Sequence, residues 1–124
     1  MNWLMDLMRS PEAQSDAHYW ASVLLAHAAL GAAVTLALAA TRLSLGLAAI
    51  WTSVIYLVGV EGGQVALALY DGRPVDLLDG AVDATAVALG AALVWATWHH
   101  RRRAAAVAGA VLAAILTAGV SRRR

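Results

Sequence analysis

Four long apolar runs, separated by short polar segments, decide what this chain can fold into. They cover residues 19–40, 43–70, 75–98 and 104–120. An α-helix rises ~1.5 Å per residue, so ~20 residues cross a hydrocarbon core of ~30 Å. The chain is 61% hydrophobic and 14% charged, whereas soluble domains are ~45–50% apolar. We therefore predict one all-α integral membrane domain over residues 1–124, a bundle of four transmembrane helices.

Aromatic residues mark the ends of these runs. Tyr19 and Trp20 stand at the start of the first run, and Trp95 and Trp98 close the third, which suits the membrane–water interface. Residues 1–15 carry apolar side chains at helical spacing. This segment predicts a short interfacial helix, with a frayed terminus as the alternative.

Arginine supplies every positive side-chain charge, and six of the nine arginines lie in the triplets 101–103 and 122–124. A crossing fourth helix puts the triplets on opposite sides of the membrane. With the N-terminus inside, five arginines face inward and four outward, so the positive-inside rule leaves the orientation open. His99 and His100, next to the first triplet, favour a basic patch at the membrane edge over a metal site. The chain has no cysteine, which excludes disulfides and thiol chemistry.

Small and polar residues predict which helix faces pack together. His27, Gly31 and Thr35 form a stripe in the first run that should face other helices. For His27, a hydrogen-bonded role in the bundle is favoured over ligation of a cofactor. Gly59 and Gly63 form a GxxxG pattern that allows close approach of a neighbouring helix, although a kink at this point is an equal alternative.

The stretch 56–90 carries the candidate functional site, because it holds five of the eight acidic residues. An ionisable side chain at bilayer depth costs ~2.5–3.5 kcal/mol on insertion scales, so such residues are candidates for function. Glu61 and Gln64 are three residues apart and share a helix face. In the third run, one narrow stripe is acidic at its start and small at its end: Asp76, Asp79, Asp83, Ala86 and Gly90. The acidic part should line a cavity or meet Gln64 and Arg73, and the small part should pack against another helix.

The same residues resemble the VanZ-like membrane proteins. The pattern is a tyrosine, E-x-x-Q, a linker and R-x-x-D-x-x-D, and the matching positions are Tyr56, Glu61, Gln64, Arg73, Asp76 and Asp79. His27 is similar to a histidine often found early in that family. Asp83 stands where asparagine is usual, Ala86 replaces a glycine, and the linker before Arg73 is about three residues longer. The resemblance implies a small multi-span helical bundle, in a family named for a member associated with glycopeptide-antibiotic resistance. The alanine-rich composition indicates a bacterial or phage source, and we expect the chain in the bacterial cytoplasmic membrane.

Three interpretations of the acidic cluster follow from its charges. Glu61, Asp76, Asp79 and Asp83 outnumber the single Arg73. The cluster can be a polar network that fixes helix register, a binding site for a cation or an amine-bearing head group, or a site of proton-linked transport or acid–base chemistry. No nucleophile, metal triad or phosphate loop accompanies the acids, which argues against an enzyme.

Our hypothesis is an acidic pocket, at the junction of the second and third helices, that binds a cationic or lipid-linked ligand or a partner subunit. A phage-type holin that forms oligomeric lesions is the main alternative, and a structural subunit of a larger membrane complex is another. We expect the lipid bilayer and either further copies of the chain or a membrane subunit as partners, with no nucleic acid, cofactor or metal.

Overall fold

The computed structural model describes residues 16–123. It contains four helices: α1 (Ala17–Ala39), α2 (Leu45–Tyr70), α3 (Leu77–Trp98) and α4 (Arg102–Ser121). Each is long and apolar enough to cross a membrane, and residues 16–123 include no strand. The all-α, multi-pass prediction is therefore confirmed, while the predicted interfacial helix at 1–15 lies outside the described residues.

Polar caps set where three of the helices begin. The carboxylate of Asp16 accepts the Tyr19 N–H at 2.7 Å, and Ser44 Oγ accepts the Leu47 N–H at 3.3 Å. Asp76 Oδ1 accepts the Asp79 N–H at 3.0 Å. These caps satisfy amide groups that the first helical turn leaves free. The helices therefore start two residues away from the starts of the apolar runs and end within one residue of their ends, because the runs record hydropathy and not caps.

Short connections make neighbouring helices antiparallel, so the bundle has two chemically different ends. The basic end carries Arg42 and the triplet 101–103, and none of the described residues there is acidic. The acidic end carries the starts of α1 and α3 and the finishes of α2 and α4, with both acids and arginines: Asp16, Asp71, Arg73, Asp76, Asp79, Arg122 and Arg123. The terminal charges thus lie where helix ends leave the hydrocarbon layer.

The centre of the bundle is the interface between α1 and α3. A Cβ added at Gly31 would overlap the backbone carbonyl of Val87, and one added at Gly90 would overlap the carbonyl of Ala28. Ala86 is fully buried in the same region. The small end of the predicted stripe therefore lies where two helix backbones touch.

The second helix packs on this pair through a buried polar contact. Thr35 Oγ1 of α1 donates to Thr52 Oγ1 of α2 at 3.0 Å, and the latter also donates to the Ala48 carbonyl. The glycines of the GxxxG pattern lie elsewhere: Gly63 is half-buried, while Gly59 is exposed, with no atom within 4 Å of an added Cβ. Among residues 16–123, no helix approaches Gly59.

A π-helical turn interrupts α2 at Tyr56–Glu61. Its hydrogen bonding is visible at the Gly62 N–H, which donates to the carbonyl of Leu57, five residues earlier. In a regular α-helix, residues five apart point ~140° away from each other, at ~100° per residue. In a π turn, residues five apart come close to one another on the same face. Tyr56 and Glu61 are accordingly both buried in the bundle.

Candidate functional site

Four polar side chains from three helices meet inside the bundle and form what we call the buried polar cluster: His27, Tyr56, Glu61 and Asp83. His27 Nδ1 lies 3.3 Å from Asp83 Oδ1, a distance that makes an ion pair when the imidazole is protonated. The His27 and Tyr56 rings meet edge to face, with centroids 5.5 Å apart. The Tyr56 and Glu61 side chains interact electrostatically within the same cluster.

The cluster lies well below the acidic end. Counted from that end, Asp83 is six residues into α3, Glu61 nine into α2 and His27 ten into α1. At ~1.5 Å per residue, these depths are ~9–15 Å. Half of a ~30 Å hydrocarbon core is ~15 Å, so the cluster lies between one membrane surface and the midplane.

Glu61 is the most enclosed acid of the cluster. Its side chain belongs to a residue only 7% exposed, and Oε1 has no hydrogen-bond partner among residues 16–123. His27 Nδ1 is also buried, and its contact with Asp83 is a close approach rather than an aligned hydrogen bond. Buried polar atoms in native proteins are nearly always paired. Glu61 Oε1, with no partner among residues 16–123, therefore indicates a place for a further polar group.

Gly80 of α3 makes room for the Glu61 carboxylate. A Cβ added at Gly80 would overlap Glu61 Oε2. Sequence reasoning missed this residue, although a glycine between two acids of one stripe was a visible signal. Glycine here leaves space for a carboxylate at a helix–helix contact.

We predict that Gly80→Ala destabilises the bundle through Glu61. The displaced carboxylate is the end of a flexible side chain, so the expected loss is about 1 kcal/mol, at the low end for overpacking. In a Glu61→Ala background the collision disappears, and Gly80→Ala should then cost nothing or stabilise α3. The measurement is a double-mutant cycle of unfolding in detergent. Additive effects of the two changes would contradict this contact.

The remaining predicted site residues lie nearer the acidic end. Asp79 is half-buried in the first turn of α3, and its charge acts on both Tyr56 and Glu61. Asp76 is the exposed N-cap of the same helix, and Gln64 is half-buried one turn from Glu61. The acidic stripe of α3 therefore leads from the membrane surface toward the buried polar cluster.

Arg73 does not join the acids of the cluster. It lies exposed in the turn between α2 and α3, and its Nε donates to Asp71 Oδ2 at 3.2 Å. Asp71 lies two residues away in the same turn, so its carboxylate pairs with the Arg73 guanidinium and the more distant acids do not. The four arginines and two histidines of the basic end lie further from the cluster than Arg73 does. At that end, His99 Nδ1 contacts the Trp95 carbonyl at 2.9 Å.

The polar groups of the cluster can accept hydrogen bonds and exchange protons. Two carboxylates, a phenol hydroxyl and an imidazole supply several acceptors. Within residues 16–123, no three His, Cys, Asp or Glu side chains come together as ligands of a metal ion would.

Four helices long and apolar enough to cross a membrane, packed around a buried glutamate, define a small multi-pass membrane protein with a polar site inside its bundle. Comparisons of this chain with protein-family models, with curated proteins and with solved structures found no match.

Proposed function

We propose that this chain is a small VanZ-like protein of the bacterial cytoplasmic membrane whose buried polar cluster binds the ammonium group of a cationic or lipid-linked ligand. The observation that carries the proposal is that the carboxylates of Glu61 and Asp83 meet in one cluster, and that none of the arginines within residues 16–123 pairs with them. Four positions that the family resemblance selected, His27, Tyr56, Glu61 and Asp79, lie in or next to the cluster, which supports the assignment.

The charge balance of the cluster favours a bound cation. Among residues 16–123, the arginines all lie at the two ends of the bundle, and His27 is the only basic group within the cluster. One imidazole can offset one carboxylate at most. When Glu61 and Asp83 are both ionised, a negative charge is left at bilayer depth, where its solvation is poor. A cation or a proton removes that cost.

A primary ammonium fits the acceptors better than a fully substituted one. It has three N–H donors, as a lysine side chain has, and each can meet an oxygen of Glu61, Asp83 or Tyr56. Asp76 and Asp79 lie in the same stripe of α3, nearer the acidic end, and their negative charge adds to that of the cluster.

Protection from an apolar carbodiimide tests this proposal. Dicyclohexylcarbodiimide modifies protonated carboxyl groups in apolar surroundings, and peptide mass spectrometry locates the adduct. We expect an adduct at Glu61 in the purified protein. Ethylammonium at ten times its Kd should slow labelling about tenfold, because binding lowers the free fraction of the site by the factor 1 + [L]/Kd. Tetraethylammonium, with the same charge and no N–H donor, should protect far less.

Two substitutions separate the cluster from the surface acids. Asp83→Asn should abolish protection by ethylammonium while Glu61 is still labelled. Asp71→Asn, in the exposed turn, is the matched control and should leave protection unchanged. Equal protection in wild type and Asp83→Asn, or none in wild type, would overturn the proposal.

The other two hypotheses stay predictions with their own tests. A holin should arrest bacterial growth and collapse the membrane potential when expressed. A structural subunit should co-purify with a partner at fixed stoichiometry.

A further inference from the structure

The two connections at the basic end bring four arginines close together. A Cβ added at Gly46, in the first turn of α2, would lie 3.4 Å from Trp95 Nε1, in the last turn of α3. The turn before α2 carries Arg42, and the turn after α3 carries the triplet 101–103. Since the two helices touch beside these turns, the single arginine and the triplet are neighbours on one side of the bundle.

None of the four arginines is neutralised within residues 16–123. All four side chains are exposed, and none forms an ion pair with a described carboxylate. The arginine in the turn at the opposite end differs, because Arg73 pairs with Asp71. The basic end therefore presents four positive charges with donors that no described residue uses.

These charges lie at the helix ends that disfavour them. Arg101 is the N-cap of α4, the other two arginines of the triplet open its first turn, and Arg42 precedes the start of α2. A helix N-terminus carries a partial positive charge and favours acids, as the start of α3 shows with Asp76 and Asp79. Arg101 also makes no side-chain capping hydrogen bond. The start of α4 thus combines arginine charge with backbone amides that its N-cap side chain leaves open, and both attract an anion.

Two basic side chains of this end stand on backbone that glycine adopts more easily. The φ angle is 76° at Arg42 and 53° at His100, whereas the turn between α2 and α3 has a glycine, Gly72, at 66°. A residue with a Cβ loses free energy in this left-handed region. Strain of this kind is found most often where a side chain has a function. Arg42 is therefore not explained by the stability of its own turn.

The basic end stands at the level of lipid head groups. Its arginines lie directly beyond helices that are long and apolar enough to cross a membrane. Trp98, beside the triplet, is 70% exposed, and exposed tryptophan is typical of the membrane–water interface. The head-group region directly adjoins the hydrocarbon core. The anion nearest to these arginines in a membrane is therefore a lipid phosphate.

We propose that the basic end binds the phosphate head group of an anionic phospholipid, such as phosphatidylglycerol or the two-phosphate cardiolipin. Guanidinium groups donate to phosphate oxygens in a charge-assisted, often bidentate geometry. The open amides of the first turn of α4 donate to the same oxygens. Cardiolipin can meet the arginines of both turns with its two phosphates. The ammonium of a zwitterionic lipid is repelled by them.

Native mass spectrometry of the detergent-purified protein, titrated with dioleoyl lipids and tetraoleoyl cardiolipin, tests the inference. We expect both anionic lipids to bind at least tenfold more tightly than phosphatidylcholine or phosphatidylethanolamine, the effect of one charge-assisted hydrogen bond. An arginine near a membrane surface is worth about fivefold in affinity for anionic lipid, so Arg42→Gln and Arg102→Gln should each lower cardiolipin affinity about fivefold. Arg122→Gln, at the opposite end of α4, is the matched control and should leave the affinity unchanged. Helicity by circular dichroism checks that every variant is folded.

Glycine at position 42 separates strain from charge. Arg42→Gly relieves the left-handed backbone, so it should unfold in lipid-free detergent at the same temperature as wild type or a higher one. It should nevertheless lose cardiolipin affinity as Arg42→Gln does. A lower unfolding temperature together with unchanged cardiolipin affinity would show that Arg42 serves the fold, and would overturn its place in the site.

Two further results would contradict the proposal. One is equal affinity for charged and uncharged lipids, or a preference that survives both Arg42→Gln and Arg102→Gln. The other is binding of soluble glycerophosphoglycerol, or of a single-stranded oligonucleotide, as tight as that of the lipid, because the source of the phosphate would then not be the bilayer.

This inference does not depend on the function proposed for the buried polar cluster. Glu61→Gln should leave the preference for anionic lipid intact. Arg102→Gln should leave carbodiimide labelling of Glu61, and its protection by ethylammonium, intact. Failure of one proposal is therefore visible while the other stands.

Discussion

Replacing Gly31 or Gly90 by alanine is expected to destabilise the bundle by about 2–3 kcal/mol each, the upper part of the usual range for overpacking. At both positions the added methyl group would meet a backbone carbonyl of the facing helix, that of Val87 or that of Ala28. A backbone carbonyl cannot rotate away as a side chain can. The whole of α1 must move away from α3, and contacts along both helices weaken.

The chain supplies a control for this experiment in α4. Gly109 is also a helical glycine, yet no atom lies within 4 Å of a Cβ added there. Gly109→Ala should be neutral or stabilise by up to ~1 kcal/mol, the difference in helix propensity between the two residues. The three variants can be compared by thermal unfolding in one detergent, with helicity by circular dichroism. A Gly31→Ala protein as stable as Gly109→Ala would contradict the close α1–α3 contact.

Hydropathy predicts the four helices because the length of an apolar run and the thickness of a bilayer are directly related. It predicts their ends less well, since caps such as Asp16 and Asp76 lie outside or at the edge of the apolar run. The depth of Glu61 also follows from sequence, because its distance from the turn at residues 71–76 is fixed by the helical rise.

Other features depend on contacts that a periodic pattern does not contain. A strictly α-helical α2 would point Tyr56 away from Glu61, and only the π turn brings them to one face. Arg73 was expected among the acids, but a local carboxylate, Asp71, pairs with it in the turn. The acids of α3 share one stripe, yet depth separates them: Asp76 is at the surface, whereas Asp83 meets His27 inside the bundle.

Substitutions of His27 and Asp83 test whether the cluster stabilises the fold or binds a ligand. Their side chains are 21% and 18% exposed, so neither is fully solvated. Removing one member of a buried pair leaves the other poorly compensated, whereas replacing both by apolar residues is often neutral or stabilising. We expect His27→Leu to lower the free energy of unfolding by about 2–3 kcal/mol, below the range for fully buried pairs because some solvation is retained.

The double variant His27→Leu, Asp83→Leu should regain most of that loss, since no carboxylate is then left beside a leucine. A double-mutant cycle of unfolding in detergent measures the coupling between the two residues. Thr35→Val and Thr52→Val form a matched control cycle at a buried contact between uncharged residues. Hydrogen bonds between membrane helices have an average coupling energy of ~0.6 kcal/mol. The same double variant should show no protection of Glu61 by ethylammonium, although Glu61 is still labelled. A stable bundle without ligand protection separates binding from folding. If protection persists when both residues are leucine, Asp83 takes no part in binding, and the pair serves only to hold α1 against α3.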